Sequence, residues 1–105
     1  MVSSYRNRMK TNLRKFAKGK DCQLRLLGIC NFDPETTVLA HVRRGGVAGI
    51  GQKPPDMVGI HACSACHDAM DGRLGPMKIP ADSDVLEGLC RTIAVVDKHY
   101  KLVPG

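Results

Sequence analysis

The sequence predicts a small α+β domain, with a pair of strands at its centre and helices towards both ends. The chain has 105 residues, with two Phe, two Tyr and no Trp, so the apolar core is thin and an additional stabilising element is expected. Five cysteines stand out against this composition. Two stretches alternate as strands do, and others repeat apolar residues at helical spacing. We treat residues 1–105 as one domain.

The N-terminal part of the chain, residues 1–20, is predicted to be a basic arm with a short helix. Within it, Thr11 and Asn12 can cap a helix that Gly19 ends. The net charge is +6 and the pI about 9.3. A basic block suits a polyphosphate partner, because each neutralised phosphate releases counterions, although a solubilising tail is the alternative. The basic residues before the first acid are Arg6, Arg8, Lys10, Arg14, Lys15, Lys18 and Lys20.

Residues 37–42 form the best candidate strand. Its alternation places Ala40 with Val38 and Val42 on one face, and His41 with Thr37 and Leu39 on the other. A glycine-rich loop with basic residues follows, over 43–53. A second strand is predicted over 57–62, returning the chain to a pair of cysteines.

Two helices are predicted after the second strand. The first starts at Cys63 and ends at Gly72. The second lies within the C-terminal segment 82–101, capped by Ser83 and running from about Asp84 to Tyr100. Its predicted core stripe comprises Leu86, Leu89, Ile93 and Val96, and Cys90 is assigned to the apolar side.

Four cysteines have the pattern of a structural zinc site. Cys63 and Cys66 have the C-x-x-C spacing that lets two thiolates face one ion, and Cys22 and Cys30 supply the other pair. The resulting zinc-framed core is predicted over residues 21–73. Buried reduced thiols and a redox-active pair are the alternatives. The odd cysteine count, with no apolar leader or membrane span, favours a reducing compartment, the cytoplasm.

Two histidines lie where they can serve phosphodiester hydrolysis, which requires a base, a cation and groups that hold the strand. His41 ends a strand and is the candidate base. His67 and Asp71 share a helix face at i and i+4, so both can bind a divalent ion such as Mg²⁺. Structural roles are the alternatives for all three. The candidate nucleic-acid contacts are Arg43, Arg44, Lys53, Arg14, Lys15 and Lys18.

Residues 22–73 resemble the HNH (ββα-metal) nucleases of the zinc-stapled, treble-clef kind. More narrowly, four segments resemble the small nucleases of lambdoid prophages, the YbcO-like family. These segments are KGKDCQLR at 18–25, PETTVLAHVR at 34–43, QKPPD at 52–56 and ACSACHD at 62–68. The resemblance implies a DNA endonuclease of phage or prophage origin in the bacterial cytoplasm, with phage recombination or replication proteins as partners.

By position, the resemblance implies that His41 is the general base and that His67 binds the catalytic ion. The middle position of the motif, usually Asn, falls on Asp56, which would organise the loop between the strands. Many HNH enzymes carry a metal ligand just before the base, where this sequence has Ala40.

Two functions without catalysis remain as alternatives to the nuclease. One is a zinc-containing module that binds nucleic acid, and the other is a protein-interaction adaptor. Since one small site cuts one strand, cleavage of a duplex would require a homodimer or two encounters. No membrane association is expected.

Overall fold

The computed structural model describes residues 13–43 and 54–100, which form three helices and one antiparallel sheet of two strands. The small α+β fold expected from the sequence is confirmed. In chain order the elements are α1 (Leu13–Ala17), β1 (Val38–His41), β2 (Gly59–Ala62), α2 (Ser64–Met70) and α3 (Asp82–Tyr100). Short 3-10 turns occur at Pro34–Thr36 and Pro76–Lys78.

The register of the sheet places the end of β1 opposite a glycine. His41 pairs with Gly59, and Leu39 pairs with His61. A Cβ at position 59 would lie 2.7 Å from Leu39 Cδ1, so a residue with a side chain does not fit there without a shift. The glycine therefore allows the Leu39 side chain to lie across the start of β2.

Both strands are shorter than the predicted ranges 37–42 and 57–62. Before β2, the Val58 N–H closes a turn by donating to Pro55 O at 2.9 Å. Val42 N–H still donates to Val58 O at 2.9 Å, one residue beyond β1. Asp56 consequently lies in a turn that precedes β2, and not in the strand itself. The face assignment needs one correction, because Thr37 is buried whereas Val38 is only half-buried.

The face of α3 that packs on the sheet differs from the predicted stripe. Leu86 is 61% exposed and Ile93 41% exposed, which contradicts their assignment to the core. The cause is Gly88, where an added Cβ would lie 3.2 Å from both Ile60 and Leu24 side chains. Because the backbone approaches the sheet at this glycine, small residues flank it on the buried face. The buried residues of α3 are Val85, Gly88, Thr92 and Val96, with Leu89 partly buried.

Two further predictions for α3 are corrected. Cys90 is exposed, because it lies two residues after Gly88 and thus about 200° around the helix from the packed face. Ser83 lies inside the helix, which begins at Asp82, two residues after Pro80. Asp82 and Asp84 place negative charge in the first turn, where the helix dipole favours it.

The short helix α1 packs its apolar face against the rest of the domain. Leu13 and Ala17 are buried, and Gly19 adopts a positive φ of 81° just after the helix ends, as the sequence predicts. The Phe16 ring lies 4.6 Å from the His99 ring and 5.4 Å from the Tyr100 ring. These contacts join α1 to the end of α3. The predicted cap at Thr11 and Asn12 lies outside the described residues.

No helix within residues 13–43 and 54–100 combines the length and apolar character of a membrane span.

Substitution at Gly88 tests the close packing of α3 on the sheet. Gly88→Leu forces a large side chain against Ile60 and Leu24, and overpacking of this kind costs about 1–3 kcal/mol. We expect the melting temperature to fall by roughly 4–8 °C for each kcal/mol. Ala94→Leu, on the exposed side of the same helix, is the matched control. Equal stability of the two variants would contradict this account of the packing.

Candidate functional site

Four cysteine sulfurs converge at one point in the core. Cys22 and Cys30 bracket a loop, and Cys63 and Cys66 lie at the start of α2, where Cys63 is the N-cap. All four Sγ atoms lie within 4.8 Å of one another, and the Cys30 and Cys63 sulfurs are 3.8 Å apart. The structure therefore brings together the four residues that the sequence analysis grouped.

Each of these sulfurs accepts one backbone N–H, and all four donor–acceptor distances are 3.4 Å. Such hydrogen bonds stabilise a thiolate, because they place the partial positive charge of the N–H hydrogen beside the negative sulfur. Two donors, Arg25 and Phe32, have positive φ angles of 50° and 55° although they are not glycine. The pairs are Arg25 to Cys22, Leu26 to Cys66, Phe32 to Cys30 and Cys66 to Cys63.

The thiols also affect one another strongly. A hydrogen bond from the Cys66 thiol lowers the pKa of Cys22 to about 4, and the same bond raises the pKa of Cys66. Burial raises the pKa of Cys30 to about 11. Four thiolates at this spacing are the donor set of a tetrahedral metal site.

The loop that carries Cys22 is held by a helix distant in the sequence. Gln23 N–H donates to His61 O on β2 at 2.6 Å. From α3, the Arg91 guanidinium donates to Gln23 O at 2.6 and 2.9 Å, and to Leu24 O at 3.5 Å. This irregular loop thus donates to a carbonyl group of the sheet, and its own carbonyl groups accept from Arg91 of α3.

A cleft lies between the end of β1 and α2. His41 and His67, predicted from the sequence as a base and a metal ligand, both line it. One apolar residue of each element, Leu39 of β1 and Met70 of α2, also lines the cleft. The full set of lining residues is Leu39, His41, Arg43, His67, Met70, Asp71 and Arg73.

On one side of the cleft, His41 is fixed by a carboxylate. Its Nε2 lies 2.8 Å from Asp56 Oδ1, and Arg14 Nε from α1 donates to the same oxygen at 3.2 Å. The hydrogen bond with His41 lowers the pKa of Asp56, and Arg14 lowers it further. Since an ionised carboxylate only accepts, a hydrogen lies on Nε2 of His41, and in the neutral ring Nδ1 is then the nitrogen with the lone pair.

On the other side, His67 and Asp71 meet across one turn of α2. His67 Nε2 lies 3.2 Å from Asp71 Oδ2, as their i, i+4 spacing predicts. Arg73 contacts the same oxygen at 3.2 Å and donates to Asp68 Oδ1 at 2.7 Å. These two acids raise the pKa of the Arg73 guanidinium, the Asp68 hydrogen bond most. Two histidines, one acid and two arginines therefore line the cleft.

The predicted nucleic-acid contacts are only partly located. Arg43 lines the cleft, and Lys15 and Lys18 are exposed on and just after α1. Arg14 is 58% exposed and bound to Asp56. Arg44 and Lys53 lie outside the described residues.

The remaining histidines do not reach the cleft. His61 is fully buried beside Thr92, whose Oγ accepts its backbone N–H at 3.0 Å, and burial lowers the pKa of its ring. His99 is exposed and packs on Phe16.

Sequence reasoning missed three charged residues that shape these sites: Asp68, Arg73 and Arg91. Asp68 lies on the helix that carries His67, and Arg73 follows its C-cap, Asp71, by two residues, so a search of neighbouring charges could have found them. No sequence signal indicates Arg91, because its partners are carbonyl groups of a loop 68 residues earlier.

Comparisons with known proteins place this chain in a family. A family model described as "Putative nuclease YbcO" matches residues 11–100. The protein with the description "Putative nuclease YbcO" from Escherichia coli (strain K12) is 50% identical over 82 residues, which cover 77% of this chain and 85% of that protein. The "Putative nuclease ybcO" of Enterobacteria phage 82 matches with the same identity and coverage.

One solved structure also matches, described as the "Structure of a putative bacteriophage protein from Escherichia coli str. K-12 substr. MG1655". It is 38% identical in sequence and superimposes with a TM-score of 0.61, covering 86% of this chain and 100% of that chain. The family model spans nearly the whole described region, and half of the aligned residues are identical in two members. The chain therefore belongs to the YbcO family.

Proposed function

We propose that this protein is a metal-dependent DNA endonuclease of the HNH (ββα-metal) kind, framed by a structural zinc ion, with His41 as general base. The family description of its relatives supports nuclease activity in general. The observation that carries the proposal is the convergence of His41 and His67 on one cleft.

The four-cysteine cluster fits zinc on distance and on donor type. Sulfurs about 2.3 Å from a tetrahedral Zn²⁺ lie about 3.8 Å from each other. The Cys30–Cys63 separation is 3.8 Å, and no pair in the cluster exceeds 4.8 Å. The N–H donors to each sulfur supply the supporting contacts that thiolate ligands need. Zinc here would hold the loop of Cys22 against α2, and thereby fix the helix that carries His67.

A divalent ion also fits beside His67 and Asp71. Two ligand atoms about 2.1 Å from one octahedral ion lie about 3.0 Å apart, and the observed separation of Nε2 and Oδ2 is 3.2 Å. Ala40, just before the base, is fully buried and offers no ligand atom. Waters would complete the coordination, as Mg²⁺ commonly retains several. Such an ion would stabilise the negative charge that develops on the scissile phosphate.

The chemistry of the chain's own residues then follows from the cleft. Asp56 holds Nε2–H of His41, so Nδ1 is available to take a proton from the attacking water. As the proton transfers, His41 becomes an imidazolium, and the Asp56 carboxylate stabilises its charge. Water attacks the phosphorus, and the P–O bond to the leaving oxygen breaks. Asp56 is therefore a positioning residue, and His41 the catalytic one.

Basic residues near the cleft would hold the DNA backbone. Arg43 lines the cleft, and Arg14 donates to the Asp56 carboxylate next to His41. Lys15 and Lys18 add exposed positive charge on and just after α1. Arg44 and Lys53 belong to the same proposed set. The nuclease description of the relative from phage 82 supports a phage origin. The proposal extends this to phage DNA processing in the bacterial cytoplasm, with phage recombination or replication proteins as partners. Duplex cleavage would require a homodimer or successive nicks.

Removing one thiol tests the structural zinc. We expect purified protein to contain about one zinc per chain, and Cys63→Ser to lose it and unfold, because site formation and folding are coupled. Cys90→Ser is the matched control, since Cys90 is exposed and outside the cluster. Zinc content is measured by elemental analysis and folding by circular dichroism. Folded, metal-free wild-type protein would contradict the proposal.

His41→Ala tests the general base. Loss of a positioned base costs about 10²–10⁴-fold in rate, so plasmid nicking with Mg²⁺ or Mn²⁺ should fall by that factor while DNA binding persists. His99→Ala, on an exposed histidine outside the cleft, should retain activity. Equal nicking by His41→Ala and wild type would exclude His41 as the base. Salt-sensitive binding without cutting under any metal would favour the non-catalytic nucleic-acid-binding module instead.

Asp56→Ala tests how the base is oriented. Loss of a supporting carboxylate typically costs about 10–100-fold in activity, and we expect this loss in kcat with little change in KM. The physical reason is that Nε2 loses the acceptor that fixes the tautomer of His41. Steady-state nicking of a supercoiled plasmid measures both constants. A rise in KM with unchanged kcat would instead make Asp56 a residue for DNA binding, acting through Arg14.

A further inference from the structure

We infer that Arg73 competes with the catalytic ion for Asp71 and binds the scissile phosphate when that ion takes its place. This inference rests on the function proposed above, because it requires His67 and Asp71 to be ligands of a divalent ion. Arg73 would thus be a second phosphate-binding residue of the cleft, available only in the metal-loaded state.

The contacts of one oxygen atom, Oδ2 of Asp71, suggest that Arg73 and a metal ion compete for the same carboxylate. Asp71 Oδ2 lies 3.2 Å from His67 Nε2 and also 3.2 Å from an Arg73 guanidinium nitrogen. This oxygen is the atom that, with His67 Nε2, has the separation expected for two ligands of one ion. A cation bound there would need the lone pair to which Arg73 now donates, and it would repel the guanidinium. Arg73 and the ion therefore compete for Asp71.

A second acid, Asp68, would still hold Arg73 after its contact with Asp71 is lost. The other terminal nitrogen of Arg73 donates to Asp68 Oδ1 at 2.7 Å, the shorter of the two ion-pair contacts. Guanidinium carries five N–H donors, so release from Asp71 leaves donors available while Asp68 still holds the group. The side chain is 60% exposed and lines the same cleft as His41. A phosphate oxygen in the cleft is then a suitable acceptor.

The net charge of the site gives the physical reason for such an exchange. Through its contact with Oδ2, Arg73 neutralises the Asp71 carboxylate beside His67. When an ion of charge +2 takes its place, the released arginine adds positive charge where the phosphodiester binds. The ion would therefore strengthen the hold on DNA in two ways, directly and through Arg73.

The first experiment measures the competition without relying on activity. Zinc-loaded wild type, Arg73→Gln, Asp71→Asn and Lys98→Ala are titrated with Mn²⁺, and free Mn²⁺ is followed by electron paramagnetic resonance. We expect Arg73→Gln to bind Mn²⁺ about three- to fivefold more tightly than wild type, since an exposed ion pair contributes modestly. Asp71→Asn should lose the site. Lys98→Ala removes one positive charge on α3, outside the cleft lining, and should bind as wild type does.

The outcomes separate this inference from the proposed function. Unchanged or weaker Mn²⁺ binding in Arg73→Gln, with binding abolished in Asp71→Asn, would overturn the competition and leave the catalytic metal site intact. A wild-type protein that binds no Mn²⁺ in this cleft would overturn the metal site and the inference together. A gain in affinity shared by Lys98→Ala would assign the effect to overall charge and overturn the specific role of Arg73.

The second experiment tests the transfer to phosphate. DNA binding is measured over a range of salt concentrations in a His41→Ala background, which prevents cleavage, with and without the further change Arg73→Gln. With Mn²⁺ present, Arg73→Gln should reduce the slope of log affinity against log salt by about one, the value for one lost phosphate contact. Without added Mn²⁺ the two slopes should agree. A slope that is unaffected by Arg73→Gln in Mn²⁺ would overturn the phosphate role.

Discussion

The convergence of four cysteine sulfurs is the constraint on which the other parts of this structure depend. The stretch between α1 and β1 contains only a 3-10 turn as regular structure, and it meets α2 at the thiols of Cys22 and Cys30 and at hydrogen bonds with Ser64. Cys63 follows β2 directly and caps α2, so the same cluster fixes the angle between sheet and helix. The cysteine cluster, which lies outside the cleft, thereby influences the distance between His41 on the sheet and His67 on the helix.

Both walls of the cleft share one arrangement, in which a single carboxylate oxygen accepts from an arginine and contacts a histidine. At Asp56 this arrangement fixes which nitrogen of His41 carries hydrogen. At Asp71 it leaves the histidine and the carboxylate at a separation suited to a cation. In the functions proposed above the two sides differ: Asp56 would orient His41 as a base, whereas the arginine on Asp71 would give way to an ion of the same sign.

Much of the architecture could be predicted from the sequence, because it depends on local patterns. Thiol spacing, strand alternation and i, i+4 geometry correctly placed the four cysteines together, His41 at a strand end and Asp71 beside His67. The packed face of α3 is predicted only in part: Leu89 and Val96 pack as expected, whereas Leu86 and Ile93 are exposed, since the close approach at Gly88 outweighs the pattern of large apolar residues. Cys90 was misplaced for the same reason. Arg91 could not be predicted, because its partners are set by tertiary structure, which local periodicity does not encode. The partners of Arg73 are neighbours in the sequence, but the helical pattern alone does not single that residue out.

The contact of Arg91 with the loop of Cys22 links α3 to the cysteine cluster over a long sequence distance. Cys90, the neighbour of Arg91, points to solvent and is the fifth cysteine of the chain, outside the cluster. While the other four thiols hold an ion, a thiol-reactive fluorophore would attach at Cys90 selectively. Such a label would lie one residue from Arg91, which donates to the loop of Cys22. A change in its emission would therefore report the separation of that loop from α3.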